Sequence, residues 1–258
     1  MKGNTAHEWS EGQLWIARFV LIGCFLALWQ FSSGRLIEPF WFSDPATIGQ
    51  RLGQWIVDGT LLYHFWITLQ EMMAGFICGV VLGSAAGLWL GRTRVLARLL
   101  HPLILAVYSL PKIALAPLFV LWFGVGMAPK VVLSGAVVFF LVFFNAYAGV
   151  REVDDDLIDT VRLMGGGKSA VRRFVLVPSA LVWVFTGLKI SVPYALVGAV
   201  VGEMMASNKG LGSLIQESAA QFDTAGVFAA LAALLVLSIT LNELLSWLER
   251  RLLRWKHK

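Results

Sequence analysis

From Trp66 to Leu90 the chain reads WITLQEMMAGFICGVVLGSAAGLWL, an apolar run with one charged residue, Glu71. A helix needs about 20 such residues to cross the hydrocarbon core of a bilayer, so this stretch is expected to span a membrane. Five further runs meet the same requirement: Leu14–Phe31, Leu96–Phe123, Val131–Val150, Ala180–Met205 and Ala225–Leu248. The whole composition agrees. The 258 residues are 58% hydrophobic and 14% charged, with a mean hydropathy of +0.73. A soluble domain runs at about 45–50% apolar and about 25% charged, and the excess here is too large for one small core to bury. Eleven Trp suit a chain with two membrane–water interfaces.

Basic residues orient the spans, because Lys and Arg accumulate on the cytoplasmic side. With the N-terminus inside, fourteen Lys and Arg fall on inner segments. They are Lys2; Arg92, Arg94 and Arg98; Arg151, Arg162, Lys168, Arg172 and Arg173; and Arg250, Arg251, Arg254, Lys256 and Lys258. Four fall on outer segments: Arg35, Arg51, Lys130 and Lys209. Arg18, Lys112 and Lys189 lie in or beside spans. An odd number of spans would scatter the basic clusters to both sides. The expected fold is an all-α integral membrane protein of about six transmembrane helices with both termini cytoplasmic. The pI near 9.4 then reflects topology, and no nucleic-acid partner is expected. The first run reads as a retained helix, since Lys2 faces Glu8 and Glu11 and no A-x-A site follows it. Cys24 and Cys78 lie inside apolar segments and read as small hydrophobes, not as a disulfide or a metal pair.

Two spans carry internal marks. The third contains Pro102, Pro111 and Pro117, each removing an amide donor and tending to kink or break a helix. The second repeats Gly75, Gly79, Gly83 and Gly87, a one-face row that allows close helix–helix approach. It reads as a packing seam.

Between the fourth and fifth spans lies REVDDDLIDTVRLMGGGKSAVRRFVLVP, Arg151 to Pro178. Asp154, Asp155 and Asp156 suit a helix start, where carboxylates cap free amides and meet the positive end of the dipole. Leu157, Val161 and Met164 follow on one face. Gly165, Gly166 and Gly167 stop the helix. Ser169 is expected to cap a second short helix, and Pro178 to sit in the first turn of the fifth span. On these grounds the loop fits either a docking surface for another protein or an amphipathic helix lying on lipid headgroups. Gly167-Lys168-Ser169 mimics the end of a phosphate-binding loop. That motif requires a glycine five residues before Gly167, where Arg162 stands, and a preceding strand, where a helix is expected. ATP hydrolysis is therefore expected from a separate chain.

The loop resembles the E-A-A-x₃-G-x₉-I-x-L-P signature of ABC importer permeases. Here it reads Asp159-Thr160-Val161, then Gly165, then Val175-Leu176-Val177-Pro178, with the signature's spacing kept and its E-A-A triplet replaced. Pro111-Lys112-Ile113-Ala114-Leu115-Ala116-Pro117-Leu118 with Leu121-Trp122-Phe123-Gly124 is similar to the nitrate/sulfonate/taurine branch. So are Thr186-Gly187-Leu188-Lys189, Val201-Gly202-Glu203 and Gly210-Leu211-Gly212. The likeness runs from about Trp66 to Trp247. It implies a type I ABC importer permease fold in the bacterial inner membrane, and one permease domain over residues 1–258. Within it, residues 14–65 are the first span and outer segment, 66–248 the core with coupling loop 151–178, and 249–258 a basic tail.

The resemblance further implies two cytoplasmic ATPase subunits that bind ATP and Mg, a second permease copy making a homodimer, and a periplasmic or lipid-anchored solute-binding protein. The chain itself is then no enzyme and holds no cofactor or metal. Asp159, Thr160, Val161, Arg162, Gly165, Gly166, Lys168 and Pro178 become the ATPase-docking positions. Gly165 shapes the bend, and Asp159 and Arg162 meet complementary charges.

Candidate path residues are Lys112, Trp122, Asn145, Lys189 and Glu203. Ionisable groups inside spans are costly and are therefore functional candidates. Lys112 and Lys189 fit either attraction of an anionic solute or pairing and snorkelling. Glu71 and Glu203 are expected to reach the outer interface. Asn145 is expected to hydrogen-bond between helices, and His64 and His101 to be solvated or capping. The solute implied is small and anionic or polar: sulfonate, taurine, nitrate, aromatic acid or pyrimidine precursor. A secondary transporter or channel without an ATPase is the alternative reading, and a membrane scaffold without a path is another.

Overall fold

A computed structural model of the chain describes residues 10–36 and 38–254. Lys2, Glu8, Lys256 and Lys258, which entered the reading of topology and of the first helix, lie outside the described residues. The first helix, α1 (Glu11–Ser32), starts at a reciprocal capping box. The Ser10 hydroxyl accepts from the Gln13 amide, and the Gln13 side chain accepts from the Ser10 amide. A short α2 (Pro39–Phe42) leads to α3 (Pro45–Val57), capped by Asp44. The Thr47 hydroxyl and amide, with the Ala46 amide, hold the Asp44 carboxyl below the usual carboxylate range.

The core helices are α4 (Thr60–Arg92), α5 (Arg94–Ser109), α6 (Ala116–Phe123) and α7 (Met127–Arg151), followed by α8 (Asp155–Leu163) and α9 (Lys168–Val171). The chain then continues through α10 (Val177–Ala206), α11 (Leu211–Ala220) and α12 (Thr224–Leu252). Among the described residues, five helical stretches are long and apolar enough to cross a membrane, and a bent pair makes a sixth. The pair is residues 95–109 and 112–123, related by 74°, so the third span is broken. Its prolines act unequally. Pro102 lies inside α5 without a break and Pro117 sits in the first turn of α6. Only the Leu110–Pro111 junction interrupts the helix, in agreement with the α-region being disfavoured for a residue before proline.

At the centre is α7, packed between α4 and α10. The glycine row on α4 is the contact surface. A Cβ on Gly75 would come within 2.7 Å of Ser134 Cβ and the Val131 carbonyl, and one on Gly79 within 2.7 Å of the Gly135 carbonyl. At Gly83 and Gly87 the carbonyls of Phe139 and Phe143 would lie at 2.6 and 2.5 Å. On the other flank Gly187, Gly198 and Gly202 of α10 meet Asn145, Ser134 and Lys130 in the same way. The apolar core gathers below and around this layer, from Met72, Val138, Val142, Phe185, Val192, Leu196, Leu214 and Leu237. By contrast α1 presents most of its side chains outward and is tied to the rest at its outer end. There Trp29 meets Phe42 and Phe228 edge-on, and the Gln30 amide donates to Asp44. Both cysteines are free and exposed on this isolated chain.

Because the atoms facing Gly83 belong to the α7 backbone, they cannot rotate away from an added side chain. A Gly83→Leu variant is expected to lose at least the about 1–3 kcal/mol typical of an overpacked core. Thermal unfolding of the detergent-solubilised chain should show a lowered midpoint. An unchanged midpoint would mean that α4 and α7 do not meet at this distance.

Candidate functional site

The inner loop is built much as its residues ask. Asp154 caps α8 by accepting the Asp156 amide at 2.9 Å, and Asp155 and Asp156 fill the first turn. The helix ends where Gly165 turns left-handed (φ +84°), with Gly165 N–H donating to the Arg162 carbonyl and Gly166 N–H to the Val161 carbonyl. A side chain on Gly166 would collide with Val161 at 2.7 Å, whereas Gly165 faces open space. Thr160 donates its hydroxyl to the Asp156 carbonyl within the helix. Apolar side chains on and just after α8 face outward: Leu163 is 89% and Met164 82% exposed, and Leu157 is also exposed, while Ile158 and Val161 are half-buried.

One expectation about this loop needs correction. Ser169 is not the cap of the second helix. Gly167 precedes α9, Lys168 is its first residue and Ser169 its second. Asp159 and Arg162, expected to meet complementary charges, pair with each other at 3.0 Å across one helical turn. Both are exposed, and such a pair contributes only about 0.2–1 kcal/mol, so a stronger partner can recruit either group. Pro178 sits in the first turn of α10, as expected, although that start is not a free helix end. Residues 168–206 run as one helix, with a wide π-turn at Arg172–Leu176 in which the Val177 N–H reaches back to the Arg172 carbonyl. The physical cause is Pro178 itself, which has no N–H for the Phe174 carbonyl and crowds it; the turn widens to make room.

The five path candidates are not brought together. Lys112 lies beside a cavity of about 350 Å³ lined by Tyr108, Leu110, Pro111, Ile113, Val137, Leu141 and Tyr194. Its ammonium sits 4.2 Å from the Tyr108 ring centre and 4.8 Å from that of Phe140, and donates to the Tyr108 carbonyl. Trp122 is exposed on α6, its ring 6.0 Å from that of Phe119. Asn145 does not bond between helices as expected; its amide donates to the Leu141 carbonyl of its own helix at 2.8 Å. The two helices approach closely here, since a Cβ on Gly187 would fall 2.9 Å from that of Asn145. Lys189 pairs with Glu249 near the inner end of α12. This is the pairing alternative, not a free charge in a cavity.

Glu203 depends on a set of residues that the sequence reading had dispersed. It was expected at the interface, yet it is 0% exposed, and Glu71 is 5% exposed. Lys130, counted as an outer-surface charge, is 3% exposed and places its ammonium 2.6 Å from Glu71 Oε1. A second Lys130 donation goes to the Ser207 hydroxyl at 2.9 Å. Glu203 Oε1 lies 2.7 Å from the Thr68 hydroxyl, and Oε2 accepts the Gly212 amide at 2.6 Å. Thr68 in turn accepts the Leu211 amide at 2.8 Å. The carboxyl thus caps the first turn of α11, a favourable place for an acceptor. A Cβ on Gly210 would fall 2.2 Å from its carboxyl carbon and one on Gly212 2.9 Å from Oε2. That close approach explains the Gly210-Leu211-Gly212 sequence. His64 Nδ1 lies 2.9 Å from the Gly210 carbonyl and so links α4 to the start of α11. The missed signal was register: Glu71 and Gly75 are one turn apart on α4, as are Lys130 and Ser134 on α7. The glycine face therefore carries the acid toward the lysine.

The family model described as the binding-protein-dependent transport system inner membrane component matches residues 79–254. The riboflavin transport system permease of Chloroflexus aurantiacus is 34% identical over 232 residues, covering 90% of this chain and 87% of that one. The formylaminopyrimidine transport permease of Halalkalibacterium halodurans is 33% identical, covering 90% and 93%. The taurine transport system permease of Escherichia coli is 29% identical, covering 88% and 84%. Among solved structures, an inward-facing MetNI methionine ABC transporter superposes with a TM-score of 0.58 at 22% identity, over 73% of this chain and 92% of that one. An amino acid ABC transporter does so with a TM-score of 0.60 at 19% identity, over 78% and 97%. Those two likenesses establish the type I importer permease fold. The broken third span, the glycine-hinged inner loop and these matches converge: the chain belongs to the family of binding-protein-dependent transport system inner membrane components, the permease subunits of ABC importers.

Proposed function

We propose that residues 151–178 seat this permease on a cytoplasmic ABC ATPase, and that two copies of the chain with two ATPase subunits and a solute-binding protein make the importer. The observation that carries this reading is the exposed apolar surface on and just after α8, formed by Leu157, Leu163 and Met164. It hangs from the left-handed Gly165 turn and continues into the single helical run 168–206. Asp159, Thr160, Val161, Arg162, Gly165, Gly166, Lys168 and Pro178 are the positions through which docking acts. ATP and Mg belong to the ATPase, whose closure pushes on α8 and α9, and the continuous run conveys that push to the outer end of α10.

For the solute path, Lys112 and Trp122 are the favoured lining residues, since Lys112 brings the positive charge to an otherwise apolar and aromatic cavity. Lys189 and Glu203 act in packing, through Glu249 and the α11 cap, and Asn145 supports α7. Tyr108 and Tyr194 beside one ammonium suit a small solute with a flat apolar body and an anionic or acceptor group. The relatives named for riboflavin and formylaminopyrimidine fit that description.

Replacing Gly165 by Pro puts a fixed negative φ where the chain needs +84°. Gly165→Pro is expected to abolish uptake into vesicles and copurification of the ATPase with the tagged chain, while membrane insertion is retained. Normal uptake and copurification would refute the docking assignment and favour a transporter that works without an ATPase.

Losing a charge-assisted contact at the cavity costs about 1.5–3 kcal/mol. Lys112→Gln is accordingly expected to raise the apparent KM for uptake by about tenfold or more, with Lys112→Arg nearer to wild type. Equal KM values in the two variants would remove Lys112 from the path.

A further inference from the structure

Lys130, Glu71 and Glu203 form one buried cluster, and its charges do not balance. The Glu71 Oε1–Lys130 pair at 2.6 Å accounts for one carboxylate and one ammonium. Glu203, fully buried, receives only neutral partners, the Thr68 hydroxyl and the Gly212 amide. The other ionisable groups around it do not supply the missing charge. On α4, His64 is committed through Nδ1 to the Gly210 carbonyl. Lys209, in the turn between α10 and α11, is exposed. At the start of α12, Asp223 pairs with Arg51 of α3 at 2.7 Å. With both acids ionised, the layer would hold one uncompensated negative charge away from water, which a protein avoids by neutralising the group.

A second observation points the same way. Glu71 Oε2 is buried and no N–H or O–H donor reaches it, and the Glu71 and Glu203 carboxyl groups are close enough to interact. Two carboxylate oxygens brought together repel, whereas a carboxyl and a carboxylate share a hydrogen bond. We propose that Glu203 is a protonated carboxylic acid that donates to Glu71 Oε2, so that the cluster is electrically neutral and α4, α7, α10 and α11 close at their outer ends. One proton then satisfies the orphaned oxygen and balances the charge. Glu203 is a positioning residue here, holding Gly212 and Thr68, and touches no solute.

A neutral acid and a glutamine offer the same donor and acceptor, which separates the protonated from the ionised state. The test uses the full chain in lipid vesicles at neutral pH, comparing infrared spectra of wild type and Glu203→Gln. The difference spectrum is expected to contain the carbonyl stretch of a protonated carboxyl and to lack carboxylate stretches. Carboxylate stretches in its place would overturn the proposal and would mean that another group, such as a His64 imidazolium, balances an ionised Glu203. Thermal unfolding gives an independent readout. Glu203→Gln should melt close to wild type, Lys130→Met well below it, and Lys130→Met combined with Glu71→Gln should recover part of the loss. A Glu203→Gln midpoint as low as that of Lys130→Met would show that Glu203 is charged and would equally overturn the assignment.

Discussion

The contact on which the rest of the molecule depends is the meeting of backbones between α4 and α7. Lipid removes the hydrophobic drive that pushes soluble helices together, so association rests on close van der Waals packing and on interhelical polar contacts. Glycines at 75, 79, 83 and 87 remove four side chains from one line of α4, and the carbonyls of α7 occupy the space. The same helix is gripped from behind by glycines of α10. As a result α7 can carry bulky residues, among them Phe143, Val138 and Val142, into the apolar core that it shares with its neighbours. Once those axes are fixed, Lys130 must lie against Glu71, and Glu203 must lie near both. The outer cluster is a consequence of the seam, not an independent design.

The run from Lys168 to Ala206 joins the two ends of the molecule. Its 39 residues at about 1.5 Å each make a rod of about 58 Å, longer than a bilayer core. Its inner end is α9, beside the inner loop that carries α8, and its outer end is the Glu203 cap on α11. The π-turn before Pro178 keeps the rod continuous where proline would otherwise sever it. A wide turn of this kind is softer than the α-helix around it and is a natural place for the inner end to tilt relative to the membrane-embedded part.

Class, topology and the inner loop were legible because their signals are local. Apolar length marks the spans, basic residues mark the inside, and Asp154 and Gly165 mark the ends of α8 by cap chemistry that needs no knowledge of the fold. The outer cluster was not legible for the opposite reason. Glu71, Lys130 and Glu203 sit on three different helices, 59 and 73 residues apart in sequence. Each taken alone resembles a charge at the edge of a span. The break at Pro111 and its absence at Pro102 likewise depend on what surrounds each ring. Gly212 as a close-approach residue became visible only with the Glu203 carboxyl pressed against it.

Polar contacts are distributed unevenly over the helices, and this distribution separates a clamped core from a looser part. Lys130–Glu71 ties α7 to α4, Lys189–Glu249 ties α10 to α12, and Thr68, Glu203 and Gly212 tie α4, α10 and α11. No such tie, among the described residues, holds α5 to its neighbours by side chains. It rests on Leu90, Phe139 and Phe143 across an apolar groove of about 350 Å³. Regions with few buried contacts open at low free-energy cost. The broken third span, which carries Lys112 between α5 and α6, is therefore the element that can shift against a core whose other helices are pinned, and a path that opens and closes needs one wall of that kind.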